Sequence, residues 1–140
     1  MLSYRHGFHA GNHADVLKHV ALVALLRILT RKDKPLVVLD THAGAGMYSL
    51  EQGFAVKTAE FRDGIAALWE RNDLPAPVAD YLGQVRAVNP DGVLRRYPGS
   101  PRIALGLLRP QDRLRLFELH STEGPVLAQQ FAQEGRRVTV

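Results

Sequence analysis

The chain has 140 residues, 46% of them hydrophobic, which is enough for one globular domain with its own core and too few for two. Its 18 lysines and arginines outnumber its 14 acids, and most are arginine, so a nucleic-acid partner is permitted through phosphate contacts without being required. The absence of cysteine excludes disulfides, thiolate metal sites and a cysteine nucleophile, and it fits an intracellular, cytoplasmic chain.

The opening stretch "YRHGFHAGNHADVLKH", residues 4–19, holds four histidines and runs into a helical pattern. Its start is polar, and the apolar run "VALVALLRIL" is broken by Arg27 and short for a bilayer, so neither a secretory signal nor a membrane span is expected. Asn12 can cap the helix and Asp15 sits in its first turn, where the helix dipole favours an acid. Ala14, Leu17, Ala21, Ala24 and Ile28 follow helical spacing, and Val16, Val20 and Val23 widen that face, so the helix reads as buried on most sides. The charged "TRKDKP" ends it.

"LVVLD" then reads as a strand buried on both faces of a parallel sheet, closing on Asp40. A glycine loop follows, with a helix expected near Met47. Between Thr58 and Asn89 two helical pieces are separated by prolines, with Trp69 in their core. Ser100 reads as the cap of a short helix with Pro101 at its first position. "RLRLFELH" is a second strand closing on Glu118, Ser121 caps one more helix through Gln133, and "RRVTV" begins a third strand that runs to Val140. Strands alternating with helices predict an α/β fold whose three parallel strands are adjacent.

In "DTHAGAG", Gly44 and Gly46 allow the main chain to approach a ligand closely at the end of a strand. The dinucleotide fingerprint would need a further glycine where Ser49 stands. A strand followed by D-x-x-x-G-x-G instead resembles the opening of S-adenosylmethionine-dependent methyltransferases, in which Asp40, Gly44 and Gly46 belong to the cofactor loop and the strand-end Glu118 accepts the ribose hydroxyls. The stretch from Gly46 to Glu118 is too long for one crossover helix, which predicts a helical insertion over 58–97.

The histidines leave several readings open. His9 and His13 are four apart, but His9 precedes the helix cap and no cluster of acids adjoins them, so metal binding is disfavoured and ligand-free histidines are the ordinary outcome. His19 and Lys18, one turn into the helix, can reach the glycine loop if the helix packs on the sheet. Tyr4 and Arg5 combine an aromatic ring with a guanidinium, a pairing suited to RNA and equally common in a surface tail.

Taken in order, "MLSYRHGFHAGNHADVLKH", "LDTHAGAG", "YPGSP" and "ELH" closely resemble the bacterial 23S ribosomal RNA adenine-N6 methyltransferases of the RlmJ type, across the whole chain. The resemblance implies a Rossmann-like methyltransferase fold with a partial parallel sheet, residues 1–140 forming the N-terminal part of one domain. It implies that His19, His42, Ser100 and Glu118 contact S-adenosylmethionine. It also implies that Tyr4, with Arg5 and Lys18 beside it, faces the 23S RNA, with no metal and no membrane, and a monomer at full length. The family's catalytic D-P-P-Y, whose aspartate takes a hydrogen bond from the amino group of the extruded adenine, occurs nowhere in this chain. The resemblance puts that aspartate beyond Val140, so no catalytic acid is assigned here. The expectation is a truncated member or one piece of a longer polypeptide, inactive alone, with an open apolar edge along "LVVLD". The competing reading is a non-catalytic remnant that binds RNA or self-associates.

Overall fold

The computed structural model describes residues 4–140; the first three letters of the N-terminal string lie outside them. A 3₁₀ turn at His6–Phe8 leads into helix α1, His13–Leu29, and the Asn12 carboxamide oxygen accepts from the Asp15 amide at 2.9 Å, the expected cap. Strand β1, Val37–Asp40, pairs in parallel with β4, Arg113–Leu116, which pairs in parallel with β5, Val138–Thr139, so the three predicted strands are adjacent in the order β1-β4-β5. The third strand is shorter than "RRVTV" suggested: Arg136 and Arg137 belong to a 3₁₀ segment before it, and Val140 follows it unpaired and 48% exposed. Asp112 fixes the start of this sheet: its buried carboxylate accepts from the Leu36 amide at 2.9 Å and from Arg109 Nε at 3.0 Å, while the same guanidinium donates to Thr30 and Lys34 carbonyls at the end of α1.

Between β1 and β4 the chain builds a second layer. Residues Met47–Ser49 form a short strand β2, not the expected helix, and pair antiparallel with β3, Arg96–Pro98. The cause is tertiary: the Tyr48 and Tyr97 side chains are both buried, and burying them together outweighs local propensity. Helices α2 (Phe54–Thr58), α3 (Ile65–Leu68) and α4 (Ala76–Ala87) follow. The first of the two helical pieces read from the sequence is therefore short and broken at Gly64. Trp69 is in the core, its indole N–H donating to the Gly92 carbonyl at 3.2 Å.

Helix α5, Ser100–Leu107, begins with Gly99 in the cap position. Ser100 does not cap it, being already the first helical residue; its hydroxyl donates instead to the strand-end carboxylate of Asp40, to Oδ2 at 2.6 Å. Helix α6, Glu123–Phe131, likewise lacks the predicted Ser121 cap: His120 Nδ1 accepts from the Thr122 amide at 3.2 Å instead. It ends two residues before Gln133, in the 3₁₀ segment Ala132–Arg137.

Two further expectations about burial are corrected. Helix α1 buries Asp15, His19, Val23 and Leu26, while Leu17 and Ile28 on the aliphatic stripe are 74% and 58% exposed. Polar Asp15 and His19 face inward because partners from other elements satisfy them, described below. Strand β1 is not buried on both faces either. Leu114 and Leu116 pack with Leu26, Leu105 and Leu127 on one side of the sheet, whereas Val37 and Leu39, which share the other side with Arg113 and Arg115, are 60% and 61% exposed. The open edge and thinly covered face expected along "LVVLD" are thus present among the described residues.

Candidate functional site

A cavity of about 320 Å³ opens at the carboxyl ends of β1 and β4, the position where α/β sheets bind ligands. The glycine loop forms its wall. Gly44 and Gly46 both have positive φ, 63° and 83°, and a Cβ on Gly44 would stand 2.2 Å from the Tyr48 hydroxyl, so only glycine lets the loop settle on that ring. Asp40 shapes the loop from behind: Oδ1 accepts from the His42 amide at 3.1 Å and Oδ2 from Ser100.

Glu118 joins the two strand ends. One carboxylate oxygen accepts from the Gly44 amide at 2.8 Å and the other from the His120 amide at 2.7 Å. Each oxygen keeps a second lone pair, so the group is fixed in place while still able to accept from a ligand.

Across the cavity stands α1. His19 is 1% exposed; its Nδ1 lies 2.8 Å from the Tyr97 hydroxyl, and its Nε2 is buried with no partner. A buried ring nitrogen without a partner is uncommon in a folded protein, and this one belongs to a residue that lines the cavity. Burial, the largest effect, pushes the His19 pKa down from 6.5 to about 4, against the attraction of Asp15. Because the folded value is the lower one, the unfolded chain takes up a proton first as pH falls. The stability contributed by neutral His19 is full above pH 6.5, declines below it, and is lost once pH falls through about 4. Urea unfolding at pH 7 and pH 4.5 should show wild type losing about 2–3 kcal/mol more than a His19→Gln variant; equal losses would contradict a buried neutral imidazole.

The N-terminal arm closes one side. Asp15, buried in α1, accepts from His6 Nε2 at 2.7 Å, from the Gly11 amide at 3.0 Å and from Lys18 Nζ at 2.8 Å. The Tyr4 hydroxyl lies 3.0 Å from His6 Nδ1, and the Tyr4 ring, 64% exposed, stacks on His9.

Of the residues singled out from sequence, Tyr4, Lys18, His19, His42, Gly44, Ser100 and Glu118 all line this one cavity. Asp40, Gly46 and Arg5 do not: Asp40 and Gly46 support the loop, and the Arg5 guanidinium lies 5.0 Å over the Phe54 ring. Val140, the position past which the resemblance puts the catalytic aspartate, is not among the lining residues either, because it follows β5, the strand separated from β1 by β4. The sequence reading missed His6, Asp15, Tyr48 and Tyr97. Of these, His6 stands in the histidine-rich opening stretch and Asp15 four residues before His19 on one helix; Tyr48 and Tyr97 carry no local signal. His9 Nδ1 is engaged with Glu60 at 2.9 Å and His13 is exposed. No group of three potential metal ligands is gathered among the described residues, and no helix there is long and apolar enough to cross a membrane.

A larger, open cleft of about 830 Å³ lies over β2 and β3. Its Arg95 is already committed to Glu51 and Asp91, at 3.2 and 2.7 Å, and the strand ends of the parallel sheet are absent from it. The smaller cavity is therefore the candidate.

A parallel sheet with a glycine loop after its first strand and a loop-binding carboxylate after the neighbouring one defines a Rossmann-like α/β domain of methyltransferase fold. Residues 33–140 match the family described as Ribosomal RNA large subunit methyltransferase D, RlmJ, and the chain belongs to that family. It is 52% identical over 136 residues to Ribosomal RNA large subunit methyltransferase J of Escherichia coli, covering 97% of this chain and 49% of that protein. To the protein of the same name from Haemophilus influenzae it is 48% identical over 141 residues, covering all of this chain and 50% of the relative. A crystal structure of a Legionella pneumophila protein superposes with a TM-score of 0.84 at 43% identity, covering 94% of this chain and 48% of that one. The chain spans about half the length of the curated relatives it matches.

Proposed function

We propose that the cavity is one side of an S-adenosylmethionine site, and that the protein to which this chain belongs methylates the N6 amino group of an adenine in 23S ribosomal RNA, in the cytoplasm. The observation that carries the reading is the Glu118 carboxylate, fixed by the Gly44 and His120 amides opposite the unpaired buried His19 Nε2. Both residues line the one cavity; in this reading Glu118 would accept from vicinal hydroxyls and His19 would meet the amino-acid end of the cofactor. Family membership and the names of the relatives support the ribosomal RNA substrate.

When bound, the cofactor supplies an electrophilic sulfonium methyl group. The chain's own residues would hold it. Glu118 would accept from the ribose hydroxyls, and the Ser100 hydroxyl, having donated its proton to Asp40, could act toward a ligand only as an acceptor. His42 lies exposed on the rim with Nδ1 on the Thr41 hydroxyl at 2.9 Å. Tyr4, Arg5 and Lys18 form the RNA-facing side, with the Tyr4 ring able to stack on an extruded base. Residues 58–97 are the insertion, packed beside α1. No residue of this chain is assigned as the acid that receives the adenine amino group, since D-P-P-Y does not occur in it.

The test is transfer of a labelled methyl group from S-adenosylmethionine by the intact protein to unmodified 23S RNA, followed by nucleoside analysis. N6-methyladenosine is the expected product; label on another nucleoside, or none, would overturn the assignment.

The open sheet face favours a second reading for the 140-residue chain taken by itself. With Val37 and Leu39 exposed along an unpaired edge, we infer that it self-associates and transfers no methyl group.

A further inference from the structure

His19, Tyr97 and Tyr81 come from α1, β3 and α4, and their polar ends form one buried line. The Tyr81 hydroxyl lies 2.9 Å from that of Tyr97, which lies 2.8 Å from His19 Nδ1. Tyr81 and Tyr97 are each 0% exposed. Each phenol has a single proton to donate. Among the described residues the Tyr81 hydroxyl has no partner except Tyr97, so its buried proton is satisfied only by donation to Tyr97. The Tyr97 proton then has one acceptor left, His19 Nδ1. An accepting Nδ1 carries no hydrogen, and a neutral imidazole must keep its proton on the other nitrogen. Burial keeps the ring neutral and keeps both phenols protonated, pushing their pKa values well above the ordinary range. Either wiring leaves one proton unpaired: the opposite one leaves that of Tyr81, which is not at the cavity, whereas this one leaves Nε2–H of His19, a cavity-lining residue, where a ligand can accept it.

We infer that Tyr97 is a positioning residue that locks His19 with its proton on Nε2, so that the cavity presents a hydrogen-bond donor there and selects the carboxylate of an amino-acid ligand over its ammonium group. The inference rests on the cofactor reading of the cavity. It makes the segment between β2 and β4 part of that site: Tyr97, which does not line the cavity, decides what the ligand meets.

The experiment uses the intact protein with ¹⁵N-labelled histidine, and S-adenosylhomocysteine and 5′-methylthioadenosine as probes. The second probe lacks the amino-acid end. Wild type should show His19 protonated on Nε2, and so should Tyr81→Phe, in which Tyr97 still donates to His19. Tyr97→Phe should show a mixture of tautomers. Its affinity for S-adenosylhomocysteine should fall about tenfold, the ratio that corresponds to one hydrogen bond, with 5′-methylthioadenosine unchanged. A wild-type His19 protonated on Nδ1, or equal weakening of both probes, would overturn the proposal. If wild type binds neither probe, the cofactor reading falls, while the ring-nitrogen spectra still decide the wiring.

Discussion

Exchanging Glu118 for Ala should lower the affinity for S-adenosylhomocysteine by about 100-fold or more. The carboxylate has two duties. It anchors the glycine loop through the Gly44 amide and the turn after β4 through the His120 amide, and in the proposed site it accepts two ribose hydroxyls. A hydrogen bond to a charged group contributes about 1.5–3 kcal/mol, and two such bonds to ligand correspond to at least two orders of magnitude in affinity. Removal also leaves two amides without their acceptor, loosening the loop that Gly44 seats on Tyr48. Calorimetric titration of the intact protein checks this, with Glu118→Gln as companion: it keeps the size and one acceptor oxygen and should lose less. An alanine variant that binds as wild type does would remove Glu118 from the site.

The second large effect is on the fold. Replacing Asp15 with Ala should destabilise the protein by about 3–5 kcal/mol, the usual consequence of removing one partner from a buried charged pair. The side chain is 1% exposed and holds three donors at once: His6, the Gly11 amide and Lys18. Burial alone would raise its pKa, but the hydrogen bond and charge of His6, the hydrogen bond from Lys18 and, once His19 takes up its proton below about pH 4, the charge of that ring overcome burial and hold Asp15 well below the usual carboxylate range. With the folded value depressed, the stability it contributes is present above the ordinary carboxylate pKa near 4 and is lost as pH falls further. Denaturant unfolding at pH 7 measures the difference. A loss under about 1 kcal/mol, the range of exposed ion pairs, would show that His6 and Lys18 do not depend on Asp15. The same variant should release Tyr4 from its place on the rim, because His6 is the link between them.

Why some of this was legible in the sequence and some not follows from the range of the interactions. The strand ending at Asp40, the loop with Gly44 and Gly46 and the strand-end Glu118 each leave a local mark: an aliphatic run, a pair of glycines, an acid after alternation. Their positions also match a known family, which brought His19, His42 and Ser100 to one cavity on paper before geometry did. Strand β2 left no such mark, since Met47–Ser49 is extended only because Arg96–Pro98 lies alongside. The face of α1 was misjudged for a related reason. Aliphatic residues on one side outvote Asp15 and His19 in any reading of periodicity, and the His6 and Tyr97 groups that make those two welcome inside are supplied by other elements. Ser100 misled in the same way, its hydroxyl drawn to Asp40 across the sheet end.

Cofactor binding in the smaller cavity at the strand ends is the central claim. Titrating S-adenosylhomocysteine into the ¹⁵N-labelled intact protein and following its backbone amides tests that directly. The amides of Gly44, Glu118 and His120 and the ring nitrogens of His19 should shift together along one saturating curve. Shifts centred instead on the arginine-lined cleft over β2 and β3, or no shifts at saturating ligand, would contradict it.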